Sequence, residues 1–347
     1  MLEKILHIAD HMKLLDIHTK SSNSKVAILT YHRVTNKQND WSLNPLPVKS
    51  FENHLKFITK TYNIISLDNL VNLIDSRKKI PNKTVVLTFD DGYKDNYINA
   101  FPLLKKYEIP ATIFLTSKLI GSGELAWNDK VGYIIYNTSI NQIKMDGLGE
   151  YRLDSNFEKY KTFSDIKRKL IKFDEVKKHS FIDELANVCN VEISPHIGEE
   201  LMLSWNEVKE MNENGIDFGA HTMNHPILPN LTLEEVRYEI FESKKMIEEN
   251  LQKQVKFFSY PYGDFNQDTI NIIKELGFKC AVTLDQRLIN PEKYDLCTLS
   301  RIDGFEDLSF LKLFLLDYGK YFYNLVKLKN RIITNNASFF KIIMNRK

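Results

Sequence analysis

The chain has 347 residues, 43% of them hydrophobic and 27% charged, with 47 basic side chains against 45 acidic ones and a net charge of +2. This is the composition of a soluble globular protein of one large domain or two ordinary ones, and the near-neutral balance excludes a globally basic nucleic-acid binder. Three cysteines (Cys189, Cys280 and Cys297) with no Cys-x-x-Cys speak against a disulfide framework or a zinc–cysteine site.

Residues 1–24 are expected to form an N-terminal helix, because Leu2, Ile5, Leu6, Ala9, Met12 and Leu15 recur at helical spacing. Glu3, Asp10 and Asp16 break any signal-peptide core, and no stretch approaches the ~20 apolar residues of a membrane span, so a cytoplasmic location is expected. His7 and His11 stand four apart as helical metal ligands can, but read more simply as surface histidines.

Lys25 to Tyr31 is an apolar run that predicts a buried strand ending at His32-Arg33. After a polar loop, Phe51 to Tyr62 predicts a helix with Ser50 as N-cap, Asn63 to Ser66 a short strand, and Asp68 to Ser76 a second helix. Lys83 to Leu87 is the next buried strand and runs into Thr88-Phe89-Asp90-Asp91-Gly92. A helix over about 96–107 and a strand over Ala111 to Thr116 follow. Regularity is then lost until about Leu201, and the segment at about 122–200, helix-like and charged from Asn156 to Asn190, reads as an insertion.

Alternation resumes with capping-box sequences at Ser204–Glu207 and Thr232–Glu235, each opening a helix. Strands are expected at Ile216 to Ala220, ending at His221, and at Val255 to Tyr260, ending at Pro261-Tyr262-Gly263. A helix over Gln267 to Leu276, a strand at Lys279 to Thr283 and a last strand at Cys297 to Ile302 complete the series. Seven or eight strand–helix units predict an α/β fold, a distorted (β/α) barrel over 25–304 with a helical insertion, an open doubly wound sheet being the alternative. His32, Asp90-Asp91, His221, Tyr262 and Arg301 all follow strand C-termini, where such barrels place their chemistry.

Two adjacent carboxylates at the end of a buried strand need a cation or hydrogen bonds to offset their burial, although Asp-Asp-Gly is also ordinary turn chemistry. His221 and His225, four apart with Pro226 behind them, can share one metal. With an Asp from another strand end they form an Asp-His-His set with open positions, the catalytic arrangement for zinc. The Tyr260-Pro261-Tyr262-Gly263 stretch is either a rigid turn or a means of aiming a backbone N–H as an oxyanion donor.

Thr-Phe-Asp-Asp-Gly, His-Thr-x-x-His-Pro and Tyr-Pro-Tyr-Gly, in this order, resemble the polysaccharide deacetylases of carbohydrate esterase family 4, the NodB-homology domain, over roughly Lys25 to Gly304. Within that family the chain is most similar to the bacterial poly-N-acetylglucosamine-type de-N-acetylases, which begin with a strand ending in Tyr-His. The resemblance implies Asp90 as general base and Asp91, His221 and His225 as ligands of one divalent metal, zinc foremost with Co, Ni or Fe as options. It also implies the Tyr262 backbone N–H, after Pro261, as an oxyanion donor. Two features depart from the family. The arginine that many members carry just before Pro-Tyr is replaced by Phe258-Ser259-Tyr260, and Arg301 is the candidate substitute, a solvated salt bridge being its other reading. No histidine follows His225, so the late general acid of other members is assigned to His32, in a circularly permuted arrangement; a structural His32 bonded to backbone is the alternative.

The expected activity is metal-dependent removal of N-acetyl groups from an N-acetylated sugar of a polysaccharide or glycan precursor. An O-acetyl esterase, a non-sugar amidase and a non-catalytic sugar-binding module remain as alternatives. Residues 305–347 are expected to form a basic amphipathic helical tail. From Lys312 onward it holds eight Lys or Arg against the single acid Asp317, with Leu311, Phe314, Leu315, Tyr318, Phe322 and Leu325 on one face. That face suits either packing on the domain or peripheral contact with an anionic membrane at its inner face. No nucleic-acid partner is expected.

Overall fold

The structure is a computed structural model that describes residues 25–37, 45–290 and 293–316. The expected N-terminal helix, His7 and His11, and the tail beyond residue 316 with Tyr318, Phe322 and Leu325, lie outside the described residues.

In chain order, β1 (Val26–Tyr31) leads to α1 (Val48–Thr61), β2 (Asn63–Ile64), α2 (Leu67–Asp75) and β3 (Thr84–Phe89). A π-helical turn (Asn96–Ala100) passes into α3 (Phe101–Lys106) and then β4 (Ala111–Leu115). The insertion holds α4 (Trp127–Asn137), the hairpin β5 (Gln142–Met145) and β6 (Gly149–Arg152), α5 (Asn156–Leu170) and α6 (Glu175–Cys189). The barrel resumes through α7 (Ile197–Leu201), α8 (Trp205–Glu213), β7 (Ile216–Ala220), α9 (Leu233–Leu251) and β8 (Phe257–Ser259). It ends with α10 (Gln267–Glu275), β9 (Cys280–Val282), β10 (Ile302–Asp303) and α11 (Leu308–Leu315).

The main sheet is parallel in the order β10-β1-β3-β4-β7-β8-β9, with β2 paired to the start of β3. Val282 of β9 bridges to Leu299, and Ile302 three residues later pairs with Leu29 of β1, so one short stretch joins the two ends of the sheet. This is the distorted barrel that the alternating units predict. Its strands are uninterrupted apolar runs because both faces are covered.

Side chains alternate between the two faces, and this alternation places the site. Ala27, Leu29, Val85, Leu87, Ile113, Phe258 and Ala281 belong to the outer core beneath the helices. Val26, Ile28, Val86, Phe114, Phe257, Cys280 and Val282 form a separate inner cluster, plugged by Leu67, Leu70, Val71 and Ile74 of α2. Continuing in twos from the inner residues reaches Thr30 and His32, Thr88 and Asp90, Ser259, and from Leu299 to Arg301 and Asp303. The interior is therefore apolar at the strand N-termini and polar at their C-termini.

Several boundaries differ from the sequence reading. α1 begins at Val48 after Pro47, so Ser50 lies inside it and caps nothing. The last expected strand, Cys297 to Ile302, is a 3-10 turn at Leu296–Thr298 followed by the short β10. The insertion is more ordered than its sequence suggested, with a hydrophobic core of its own that includes Val131, Ile134, Phe163, Ile166, Ile182 and Leu185. In α11, Leu311, Phe314 and Leu315 are buried in the main core and Lys312 lies over the Phe57 ring of α1 at 5.0 Å. The start of the tail thus packs on its own domain, which removes these three side chains from any lipid-facing stripe. Among the described residues no helix is long and apolar enough to cross a membrane.

Where β10 leaves the sheet, Gly304 donates its N–H to Thr30 O at 2.8 Å. A Cβ there would lie 2.0 Å from Cε1 of Tyr31, whose ring is wedged against Phe51 and Phe89 at centroid distances of 5.1 and 5.4 Å. Gly304→Ala should therefore overpack the barrel seam and cost about 1–3 kcal/mol, read as a lower urea midpoint. An unchanged midpoint would show that the seam yields freely.

Candidate active site

Asp90 and Asp91 part company at the end of β3. Asp90 continues the inner alternation and is 1% exposed, whereas Asp91 turns into the left-handed region at φ 74° and aims its carboxylate elsewhere. Gly92 follows at φ 83°, and a Cβ there would meet Leu115 Cδ2 at 2.7 Å. The glycine of Asp-Asp-Gly is thus required both by its φ and by the closeness of β4.

Arg301 lies fully buried inside the barrel and holds Asp90 with both arms of its fork. Nη1 donates to Oδ1 at 2.7 Å and Nη2 to Oδ2 at 2.6 Å. Its remaining N–H groups reach Ser259 Oγ (2.9 Å), Thr88 Oγ1 (3.2 Å) and the Thr283 carbonyl (3.1 Å). Burial opposes ionisation of Asp90, but the Arg301 charge and its two bonds hold the carboxyl below the ordinary range. The solvated-salt-bridge reading of Arg301 is thereby excluded.

His32 is the residue after β1 as Asp90 is the residue after β3, and Tyr31 pairs with Phe89. The two side chains consequently leave the sheet next to each other, with His32 Nε2 4.0 Å from Asp90 Oδ2 and the imidazole 41% exposed. It faces the site and is not buried against backbone. An amide bonded to both groups would need roughly 5–6 Å between them. His32 and Asp90 thus stand side by side and do not face each other across the scissile bond, as strand order in the barrel requires. Asp303, paired with Thr30 on the other flank of β1, is near enough to feel the charges of His32 and Arg301, and burial raises its carboxyl above the ordinary range.

Asp91, His221 and His225 converge, with one potential ligand atom from each lying within 4.8 Å of the other two. Asp91 Oδ1 is 3.4 Å from Nε2 of both histidines. His221 Nδ1 lies 2.7 Å from the Ser259 carbonyl, which can only accept, so Nδ1 carries the proton and Nε2 presents its lone pair to the site. The His221–His225 loop is strained, with Thr222 at φ 66° and His225 at φ 58°. Glu239 of α9 holds it by accepting from the Met223 N–H (2.9 Å), the Asn224 N–H (3.0 Å) and Asn224 Nδ2 (2.6 Å).

These residues fit a divalent cation. Asp91 Oδ1 is buried with no hydrogen-bond partner, which is costly for an ionised oxygen unless a cation meets it, and one carboxylate with two imidazoles is a borderline donor set. Without a metal, burial drives His225 down to about 3, while Asp90 and Asp91 raise His221.

Pro261 and Tyr262 form the turn after β8, with Tyr262 at φ 61°. The Tyr262 ring meets His225 edge-on at 4.7 Å and Trp127 of the insertion at 6.3 Å. Sequence reasoning missed Ser259, Thr88, Glu239, Trp127 and the buried Asp129, which accepts from Tyr93 Oη at 3.1 Å. Two-residue counting from Phe257 would have found Ser259; nothing local marks Glu239.

The metal expectation is direct. Purified protein titrated with zinc should take up one ion per chain, and His221→Gln or His225→Gln should each weaken that uptake at least tenfold by calorimetry. Undiminished uptake in both variants would place the metal elsewhere.

The profile of the polysaccharide deacetylase family matches residues 77–281. YxkH of Bacillus subtilis (strain 168), named for the same family, is 27% identical over 263 residues, covering 76% of this chain and 65% of YxkH. A Staphylococcus aureus protein named poly-beta-1,6-N-acetyl-D-glucosamine N-deacetylase is 23% identical over 231 residues, 62% of this chain and 53% of its own. The chain thus spans between half and two thirds of the length of these curated relatives. Among solved structures, the Streptococcus pyogenes deacetylase PplD in complex with acetate superposes with a TM-score of 0.59 at 20% identity, covering 85% of this chain and 99% of PplD. That likeness shows the shared barrel, and the family match extends over more than half of the chain. The protein therefore belongs to the polysaccharide deacetylase family.

Proposed function

We propose that the protein is a metal-dependent de-N-acetylase acting on an N-acetylated sugar of a polysaccharide or glycan precursor, with zinc as its metal. The observation that carries this reading is the pairing of Asp91, His221 and His225 with a second carboxylate, Asp90, kept ionised by Arg301. A sugar-binding module needs no such base. The staphylococcal relative's name supports an N-acetylglucosamine polymer as the substrate class.

A zinc ion held by Asp91, His221 and His225 would acidify a water and polarise the acetyl carbonyl. The chain's residues supply the rest. Asp90 takes the proton of the attacking water, and Arg301 fixes the carboxylate in place for it. The turn at Pro261-Tyr262, whose ring packs on His225, sets the Tyr262 backbone N–H as the donor for the developing oxyanion. His32, at the open mouth, delivers a proton to the departing sugar amine; its 41% exposure lets it exchange protons with solvent between turnovers. Acid and base therefore act from one side of the site.

The test is to incubate the zinc-loaded protein with an N-acetylglucosamine oligomer and measure acetate and primary amine together. Equal amounts of both are expected; no release from the oligomer together with acetate release from an O-acetylated sugar would make it an esterase. Asp90→Asn should keep the metal and lose about 10²–10⁴-fold in rate. Near-normal turnover in that variant at full metal content would remove Asp90 as base. His32→Ala should slow amide hydrolysis far more than that of an activated acetyl ester, whose leaving group needs no proton. Equal losses on both substrates would make His32 a positioning residue.

A further inference from the structure

We propose that Asp95, Asn96 and Asn99 are positioning residues for His32: they clamp the chain just past β1 and so hold the imidazole beside Asp90. The inference rests on the de-N-acetylase reading in taking His32 as the acid, and goes beyond it in saying what places that acid.

β1 ends at Tyr31, and beyond it the chain leaves the sheet, so its backbone groups must find partners elsewhere. The segment after β3 provides them. Asn96 Nδ2 donates to the His32 carbonyl at 2.7 Å. Asp95 Oδ1 accepts from the Val34 N–H at 3.1 Å and from Asn96 Nδ2 at 3.2 Å, which locks the two side chains together. Its other oxygen accepts from Arg33 Nε at 2.6 Å, and the Arg33 guanidinium lies 5.1 Å from the centre of the Tyr93 ring. Asn99 Nδ2 donates to the Val34 carbonyl at 2.8 Å. His32, Arg33 and Val34 are thus each bound by one stretch of the chain.

That stretch leads into the π-helical turn. Phe101 donates its N–H to the Asn96 carbonyl, five residues back, and such widened turns recur at functional sites. Asn96 and Asn99, three apart, share one face of the turn, and both bond to the chain leaving β1. Asp95 and Asn96 are buried, where a polar side chain is costly unless it is bonded, and these bonds are what they make there.

The imidazole needs such a mount. Among the described residues no side chain hydrogen-bonds its ring, Asp90 Oδ2 standing off at 4.0 Å. Its place is therefore set by its backbone and its own side-chain torsions. A shift of about 1 Å at a reacting group can cost about 10²-fold in rate, so the bond from Asn96 to the His32 carbonyl is a point at which placement can be lost. Asp95 and Asn96 follow Asp91 by four and five residues. Residues 90–99 thus carry the proposed base, a metal-ligand candidate and the clamp on the proposed acid.

The test is a double-mutant cycle between Asn96 and His32 in the zinc-loaded protein. Asn96→Leu keeps the volume and removes the donor. It should lower kcat on an N-acetylglucosamine oligomer about 10- to 10²-fold with little change in KM, and largely spare 4-nitrophenyl acetate, whose leaving group needs no proton. Introduced into His32→Ala it should cost nothing further, because it acts only through the imidazole. Asn99→Ala, at the half-buried edge of the clamp, should show the same pattern and carries the kinetic test if Asn96→Leu does not fold. The imidazole also has a direct readout: the His32 Cε1–H NMR signal, assigned by its loss in His32→Ala, should move in either variant while metal content stays full. Additive losses in the cycle or an unmoved His32 signal would each overturn the proposal. So would equal losses on the two substrates where His32→Ala itself is selective, which would make the three residues a purely structural brace. His32→Ala alone decides the acid reading, and acetate release by the parent protein decides the de-N-acetylase reading. The NMR signal reports on the clamp even where either of those fails.

Discussion

The ion pair between Arg301 and Asp90 is the interaction on which the rest of the site depends. Both groups are almost wholly removed from water, which is expensive for each charge, and the arrangement holds because every polar atom around the guanidinium is matched. Removing one partner of such a pair typically costs about 3–5 kcal/mol. The pair also spans the barrel, tying the end of β3 to the stretch just before β10, where the two ends of the sheet meet. Barrel closure and the ionisation of Asp90 are thus one construction. Asp91, one residue later, escapes that clamp through its left-handed backbone and is free for the histidines.

Much of this was legible in the sequence because barrels place chemistry by a simple rule. Apolar runs located the strands, and His32, Asp90, His221, Tyr262 and Arg301 stood where those runs stopped. Arg301 could be named as the substitute for the missing arginine because it follows the last apolar run, with a solvated salt bridge as its other reading. What the sequence could not show were contacts set by three-dimensional proximity. Tyr31 pairing with Phe89 makes His32 a neighbour of Asp90, and no spacing of 58 residues could announce that. The Glu239 clamp on the histidine loop comes from a helix whose sequence reads as an ordinary solvated amphipathic face. The positive φ at Asp91, Thr222, His225 and Tyr262 falls on residues with side chains, where local propensity argues for the opposite conformation.

The insertion shows the same limit from another direction. Its charged, helix-like composition concealed a hairpin and a separate core, since four-residue strands with mixed polarity give little periodic signal. That core nevertheless fixes Trp127 and Lys167 at Tyr262, so a segment that looked peripheral borders the candidate metal ligands. The barrel carries the candidate metal ligands, and the insertion borders them through Trp127 and Tyr262.

The most direct test of the central claim is the pH dependence of deacetylation in Arg301→Gln, with metal content and circular dichroism used to establish that the variant is folded and loaded. Arg301 holds the Asp90 carboxyl down, so its removal raises that pKa and Asp90, the proposed base, becomes protonated as pH falls. The account predicts that the variant loses several-fold more activity relative to the parent protein at pH 5 than at pH 8. Loss by the same factor at both pH values would contradict it and leave Arg301 as a purely structural tie.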